Sequence, residues 1–183
     1  MTKYHGHHNC VYETVRGIIR AQDEVANNNG NGCCTTSCEK SISELLSPAA
    51  QPGRTGFSTI PFILYCKGDC QPFMPSGVFT DVIEGTNDTF LNCIQSPILR
   101  VKGFTDEDEN CVRVELLTGV NNADEVVKQE ADTVCGFFED AYGERARNLM
   151  ATGICLTLDL DCFCAIQCLD PVNPLPASML VNG

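Results

Sequence analysis

Thirteen cysteines carry most of the reactive chemistry in this sequence of 183 residues, at positions 10, 33, 34, 38, 66, 70, 93, 111, 135, 155, 162, 164 and 168. A thiol can act as a nucleophile, ligate a metal or cross-link. Nucleophilic catalysis needs a base, usually a histidine, held beside the sulfur by the fold. His5, His7 and His8 are the only histidines, and all fall in the first eight residues. A loose terminus over 1–9 is a poor place to preorganise a catalytic pair, and thirteen thiols single out no nucleophile. The sequence contains no GxSxG, HExxH, phosphate-loop or dinucleotide fingerprint. No enzyme, no catalytic residue and no cofactor-binding residue is therefore expected.

Metal binding is the alternative chemistry, and zinc the metal that suits these donors. His5, His7, His8 and Cys10 form one possible donor group. Cys33, Cys34 and Cys38 form a second, and Cys162, Cys164 and Cys168 a third. Structural zinc sites usually present paired CxxC knuckles, and these spacings differ from that pattern. A zinc-binding or thiol-rich cytosolic module stays open as the alternative function.

The spacing suits cross-linking better. Adjacent Cys33 and Cys34 rarely bridge each other without strain, so each is expected to take a separate partner. Each bridge would contribute about 2–4 kcal/mol by constraining the unfolded chain. The count is odd, so at least one thiol cannot pair inside the chain. Cys10, Cys33, Cys34, Cys38, Cys162, Cys164 and Cys168 are the cross-linking candidates. Cys10 and Cys33 to Cys38, on an N-terminal arm, are the better ones for bonds between subunits. Cys111, Cys155 and the 162–168 group are open to a second reading, as small buried hydrophobes or local staples.

Composition narrows the partners. Net charge is -12, which argues against nucleic acid, since that requires clustered Lys and Arg. No apolar run is long enough to span a bilayer, and MTKYHGHHNC has no hydrophobic stretch resembling a secretory leader. Cytosolic proteins rarely carry so many cysteines. Synthesis in a reducing cytosol followed by oxidation after lysis would reconcile these features.

These thiols must be positioned by a mainly β fold. Val11, Val15, Ile18 and Val25 recur at helical spacing, which predicts a helix over 10–27 with Asn9 as its cap. Residues 28–56 read as a flexible cysteine-bearing linker, with a possible helical turn at 40–46. Residues 57–170 read as a β-sandwich. The stretch 57–66 is apolar on both faces, and Pro61 suggests an edge or bulge. Residues 77–83 form a weaker strand. Residues 97–103 and 111–117 predict a hairpin, with Leu99, Val101, Val112, Val114 and Leu116 facing inward. A short helix is possible within 124–150. Ile154, Leu156, Leu158 and Leu160 share one face of a last strand. Were that strand unbroken, Cys162, Cys164 and Cys168 would face inward too, whereas one bulge would reverse them. The proline-rich tail, 171–183, is expected to be mobile.

One stretch is distinctive beyond its periodicity. DLDCFCAIQCL at 159–169 resembles the signature of the CotY/CotZ family of bacterial endospore coat proteins, which includes the exosporium protein ExsY. HHNCVYETVRGI at 7–18, TIPFILY at 59–65 and SPILRV at 96–101 agree in the same order. By position, Cys10, Cys162, Cys164 and Cys168 match family cysteines, and the 33–38 group corresponds loosely. The resemblance implies a structural protein made in the mother-cell cytoplasm and placed at the spore surface, in coat, crust or exosporium. It implies self-assembly, as hexamers tiling into two-dimensional sheets locked by disulfides. The implied partners are copies of itself and other spore coat proteins, with no nucleic acid and no membrane.

Overall fold

The computed structural model describes residues 36–46, 57–83, 85–105, 110–127, 133–140 and 142–177. All lie within one compact unit, Thr35–Gly183. The helix expected over 10–27 lies outside the described residues.

Helix α1, Cys38–Leu46, is followed by β1 (Phe62–Cys66), β2 (Ser76–Val82), β3 (Thr89–Gln95), β4 (Leu99–Phe104), β5 (Cys111–Val120), β6 (Asn148–Asp159) and β7 (Phe163–Cys168). The expectation of a mainly β fold of two sheets, preceded by helix, holds. One sheet is antiparallel in the order β6-β5-β4-β1-β7, and the other is the β2-β3 hairpin.

The larger sheet must curl. β6 and β7 are its two edges, yet only the 3-10 turn Leu160–Cys162 joins them. Four strand spacings of about 4.8 Å make about 19 Å. The link from Asp159 to Phe163 reaches about 14 Å at full extension. The curl is released where β1 meets β4, because the two pair only at Phe62 and Leu99. Gln71–Phe73 completes that side of β1: Phe73 N–H donates to Leu64 O at 2.8 Å and Cys66 N–H to Gln71 O at 2.9 Å.

The enclosed face gathers apolar residues from every strand of the sheet. Leu64, Leu99, Val112, Val114 and Leu116 are buried there, packed by Phe62, Phe73, Ile94, Ile154, Leu156, Leu158 and Phe163. The β2-β3 hairpin lies across it. At Gly77 a Cβ would come 2.5 Å from Ile154 Cγ2, so only glycine allows this approach. The opposite face buries Ile63, Ile98, Leu117, Phe137, Leu149 and Ala151, with Val172 and Ala177 packed against them.

Glu115 organises the middle of the sheet. Between Glu115 and Leu117 the β5-β6 register slips, and β6 bulges at Gly153, whose φ of 74° favours glycine. Gly153 N–H donates to Glu115 Oε1 at 3.0 Å. The other carboxylate oxygen accepts from Arg100 Nη2 at 2.7 Å and Lys102 Nζ at 3.3 Å. Burial pushes the Glu115 carboxyl upward, but Arg100, the Gly153 amide and Lys102 outweigh it and hold it below the usual carboxylate range. Thr152 Oγ1 donates to Leu116 O at 2.8 Å, stitching the same bulge.

Several expectations are corrected. Val101 is 51% exposed, because the register breaks between Val101 and Gly103 and β4 runs past its cover. β1 is an interior strand, with Pro61 preceding it where no ladder donor is required. Within 124–150 the described residues hold no α-helix; they hold a 3-10 turn, Gly136–Phe138, and the start of β6 at Asn148. The tail is packed as far as Ala177: Val172 exchanges hydrogen bonds with Thr59, and Leu175 N–H donates to Leu149 O while its carbonyl accepts from Ala151. The last strand is interrupted. The Asp159 side chain accepts from Asp161 N–H at 2.9 Å and starts the 3-10 turn, which redirects the chain to the far edge of the sheet.

Candidate cross-linking site

The first part of the site is α1 against β7. Ser37 starts the helix by accepting from Lys40 N–H at 3.1 Å. Ser41 faces β7 and is buried, donating from Oγ to Leu169 O at 2.8 Å. Lys40 lies 3.3 Å from Glu44 and 3.7 Å from Asp170. The hydrogen bond to Glu44 and the two carboxylates outweigh desolvation and hold its ammonium above the usual lysine range. Cys38 and Cys168 close a disulfide across a sequence separation of 130 residues. This stretch of the expected flexible linker is therefore an anchored helix. Cys38, favoured for bonds between subunits, bonds inside its own chain instead.

The second part lies at the other end of β7. The chain leaves β1 at Cys66 and turns sharply: Cys70 N–H donates to Cys66 O at 3.0 Å, and Cys70 takes a φ of 56°. Asp69 supports the turn by accepting from Gln71 N–H. Lys67 N–H donates to Cys162 O at 2.7 Å, drawing the 3-10 turn alongside. Cys164 Sγ then lies 3.6 Å from Cys70 Sγ and 3.4 Å from Cys66 O. The Cys164 thiol is held above the ordinary range, first by its hydrogen bond to Cys70, then by desolvation and the neighbouring sulfurs. Cys70 and Cys164 are both exposed.

Cys162, Cys164 and Cys168 thus share no face. Cys162 is exposed on the turn, Cys164 is exposed beside Cys70, and Cys168 is buried in its disulfide. Cys155 faces solvent on β6, which corrects the reading of it as a small buried hydrophobe; Cys111 is half-buried. Among the described residues no three of His, Cys, Asp or Glu converge in a way that could hold a metal. His5, His7, His8, Cys10, Cys33 and Cys34 lie outside the described residues. Cys66 and Cys70 were not singled out from sequence. Their spacing alone gave no signal, and only the turn after β1 brings Cys70 to Cys164.

A third thiol occupies a different surface. On β2-β3, Val78 pairs with Cys93, Thr80 with Leu91, and Val82 with Thr89. These six side chains form an outward face without a charge, on which Leu91 is 75% and Val78 63% exposed.

The motifs that carried the family resemblance mostly build this framework. In SPILRV, Ser96, Pro97, Ile98 and Leu99 are buried, and Ser96 Oγ bonds Leu117 O. In TIPFILY, Ile63 and Leu64 enter opposite cores. No solved structure matches the chain significantly. Spore coat protein Z of Bacillus subtilis (strain 168) is 30% identical over 163 residues, covering 88% of this chain and 89% of that protein. The family described as spore coat protein Z matches residues 1–171, and the chain belongs to that family.

Proposed function

We propose that the chain is a structural subunit of the bacterial spore surface. It is made in the mother-cell cytoplasm and assembles with copies of itself into a two-dimensional sheet that disulfides between subunits later harden. The hexameric, tiling arrangement follows the family resemblance, and other spore coat proteins are the further partners. Its role is mechanical and protective, with no reaction catalysed.

The observation that best supports this reading is the outward face of β2-β3. A chain of net charge -12 repels its own copies over most of its surface. Val78, Thr80, Val82, Thr89, Leu91 and Cys93 offer an uncharged, β-branched and apolar strip where approach costs least. Cys93 sits in that strip with an exposed thiol, ready to bond across a contact. Cys135, Cys155 and Cys162 add exposed thiols on other surfaces, as a network in two directions requires.

Negative-stain microscopy of the purified protein, with and without reductant, tests the reading. Ordered sheets or rings are expected in both conditions, with resistance to heat and detergent only after oxidation. A monodisperse monomer in both conditions, above all one carrying stoichiometric zinc, would overturn it. Changing Cys33 and Cys34 together to Ser, with the Cys38–Cys168 bond left in place, probes the arm: unchanged heat and detergent resistance would remove it from the cross-linking role.

A further inference from the structure

The CFCAIQC segment presents its three cysteines to three different surroundings, and one of these is already a pair. Cys70 and Cys164 are 94 residues apart in sequence, yet their sulfurs lie 3.6 Å from each other. That is roughly 1.5 Å longer than a disulfide of about 2.05 Å, a gap that side-chain rotation at two exposed positions can close. The backbone is shaped for the meeting. Cys70 holds a positive φ that a non-glycine residue adopts only when its surroundings impose it. The imposing contacts are the Cys70 N–H bond to Cys66 O and the Lys67 N–H bond to Cys162 O.

We propose that Cys70 and Cys164 are a dithiol that closes into a second intrachain disulfide by exchange with a low-molecular-weight disulfide. The Cys70 thiolate attacks one sulfur of the small disulfide. The S–S bond of that molecule breaks, its other half leaves as a thiolate and takes up the proton that Cys70 released. Cys164 then loses its proton and attacks the Cys70 sulfur of the mixed disulfide. The second half leaves and takes up that proton. Two protein thiols and one small disulfide become one protein disulfide and two small thiols. Attack begins at Cys70 because the single proton of Cys164 has a fixed acceptor in the Cys66 carbonyl oxygen, 3.4 Å from its sulfur.

The bond has a structural consequence. β7 is an edge strand with Cys38–Cys168 at its C-terminal end. A Cys70–Cys164 bond would staple its N-terminal end to the turn after β1. The edge would then be covalently fixed at both ends within one chain. Cys162, exposed on the adjoining turn, would be the thiol of this segment left for a neighbouring molecule.

The inference is independent of assembly and is tested on the dilute full-length chain. The protein is treated with oxidised glutathione, remaining thiols are alkylated, and non-reduced peptides are mapped by tandem mass spectrometry. Cleavage after Lys67 separates Cys66 from Cys70, and cleavage after Phe163 separates Cys162 from Cys164. Cys93 and Cys155, exposed on β3 and β6, are expected to keep glutathione adducts. Cys70 and Cys164 are expected to be joined to each other and free of adduct. In Cys164→Ser the mixed disulfide cannot resolve, and the adduct at Cys70 should rise about tenfold or more. Glutathione retained on both Cys70 and Cys164 in the unaltered chain overturns the proposal. So does a bond from either to Cys66, Cys162 or another chain, and so does an unchanged adduct level at Cys70 in Cys164→Ser.

Discussion

The β4-β5-β6 half of the sheet and the β1-β7 half are held in different ways. In the first, Val114, Leu116 and Leu117 are fully buried in β5 while Glu115 anchors Arg100, Lys102 and the bulge at Gly153. Its exposed thiol, Cys155, takes no part in that packing. In the second, β7 is mostly exposed and is tied to α1 through Cys168 and Ser41. The body of the molecule rests on apolar burial and one ion network; its edge rests on a covalent bond. Sulfur is concentrated where noncovalent cover is thin. This division fits the proposed sequence of folding in a reducing cytosol and hardening afterwards, because the reduced chain keeps its better-packed half.

The contrast is sharpest at Leu116. Leu116→Ala deletes a fully buried side chain that the hairpin also touches, and should cost about 3–4 kcal/mol in urea denaturation. The loss should be the same with and without reductant. A loss that doubled in reductant would mean that the two halves are not independently held.

The double change Cys38→Ser and Cys168→Ser attacks the other side. It should lower stability by about 2–4 kcal/mol in oxidising buffer and leave the fully reduced protein nearly unchanged. Hydrogen exchange should quicken in α1 and β7 and stay slow in β5. Faster exchange in β5 would break the comparison.

Glu115→Gln removes the charge but keeps the shape, and should cost about 2 kcal/mol at neutral pH. The sign of the pH dependence follows from its lowered carboxyl. The ionised form stabilises the fold above the unfolded value of about 4.3, and that contribution disappears as pH falls through the lower folded value. The unaltered chain should therefore lose stability more steeply than Glu115→Gln below about pH 4.5, in acid titrations followed by circular dichroism.

The smallest expected change in stability belongs to the outer hairpin face. Val78→Asp with Leu91→Asp should shift monomer stability by about 0.5 kcal/mol or less, since both side chains are exposed. Sheets or rings should nevertheless be lost in negative stain. Intact assembly would move the subunit contact elsewhere.

Legibility followed the range of the interaction. Alternation in Val112, Val114 and Leu116, and in Ile154, Leu156 and Leu158, was readable because period-two burial is local to each strand. The hairpin of β4 and β5 was readable for the same reason. Val101 misled because its exposure depends on where the cover over β4 stops. The 171–177 segment misled because proline content signals missing donors, while its order comes from Thr59, Leu149 and Ala151 far away in sequence.

By itself the sequence determined a mainly β chain with a surplus of thiols, an odd count and a net charge of -12. These follow from composition and strand periodicity, which require no knowledge of distant neighbours. Only tertiary structure decided which of the described thiols lie beside one another. A cysteine's role depends on what lies within a few ångströms of its sulfur, and here those neighbours come from 94 and 130 residues away. A three-residue turn at Leu160–Cys162 carries β7 to the opposite edge of the sheet. That turn separates Cys164 from Cys168 in function and sets each beside a partner that spacing could not name.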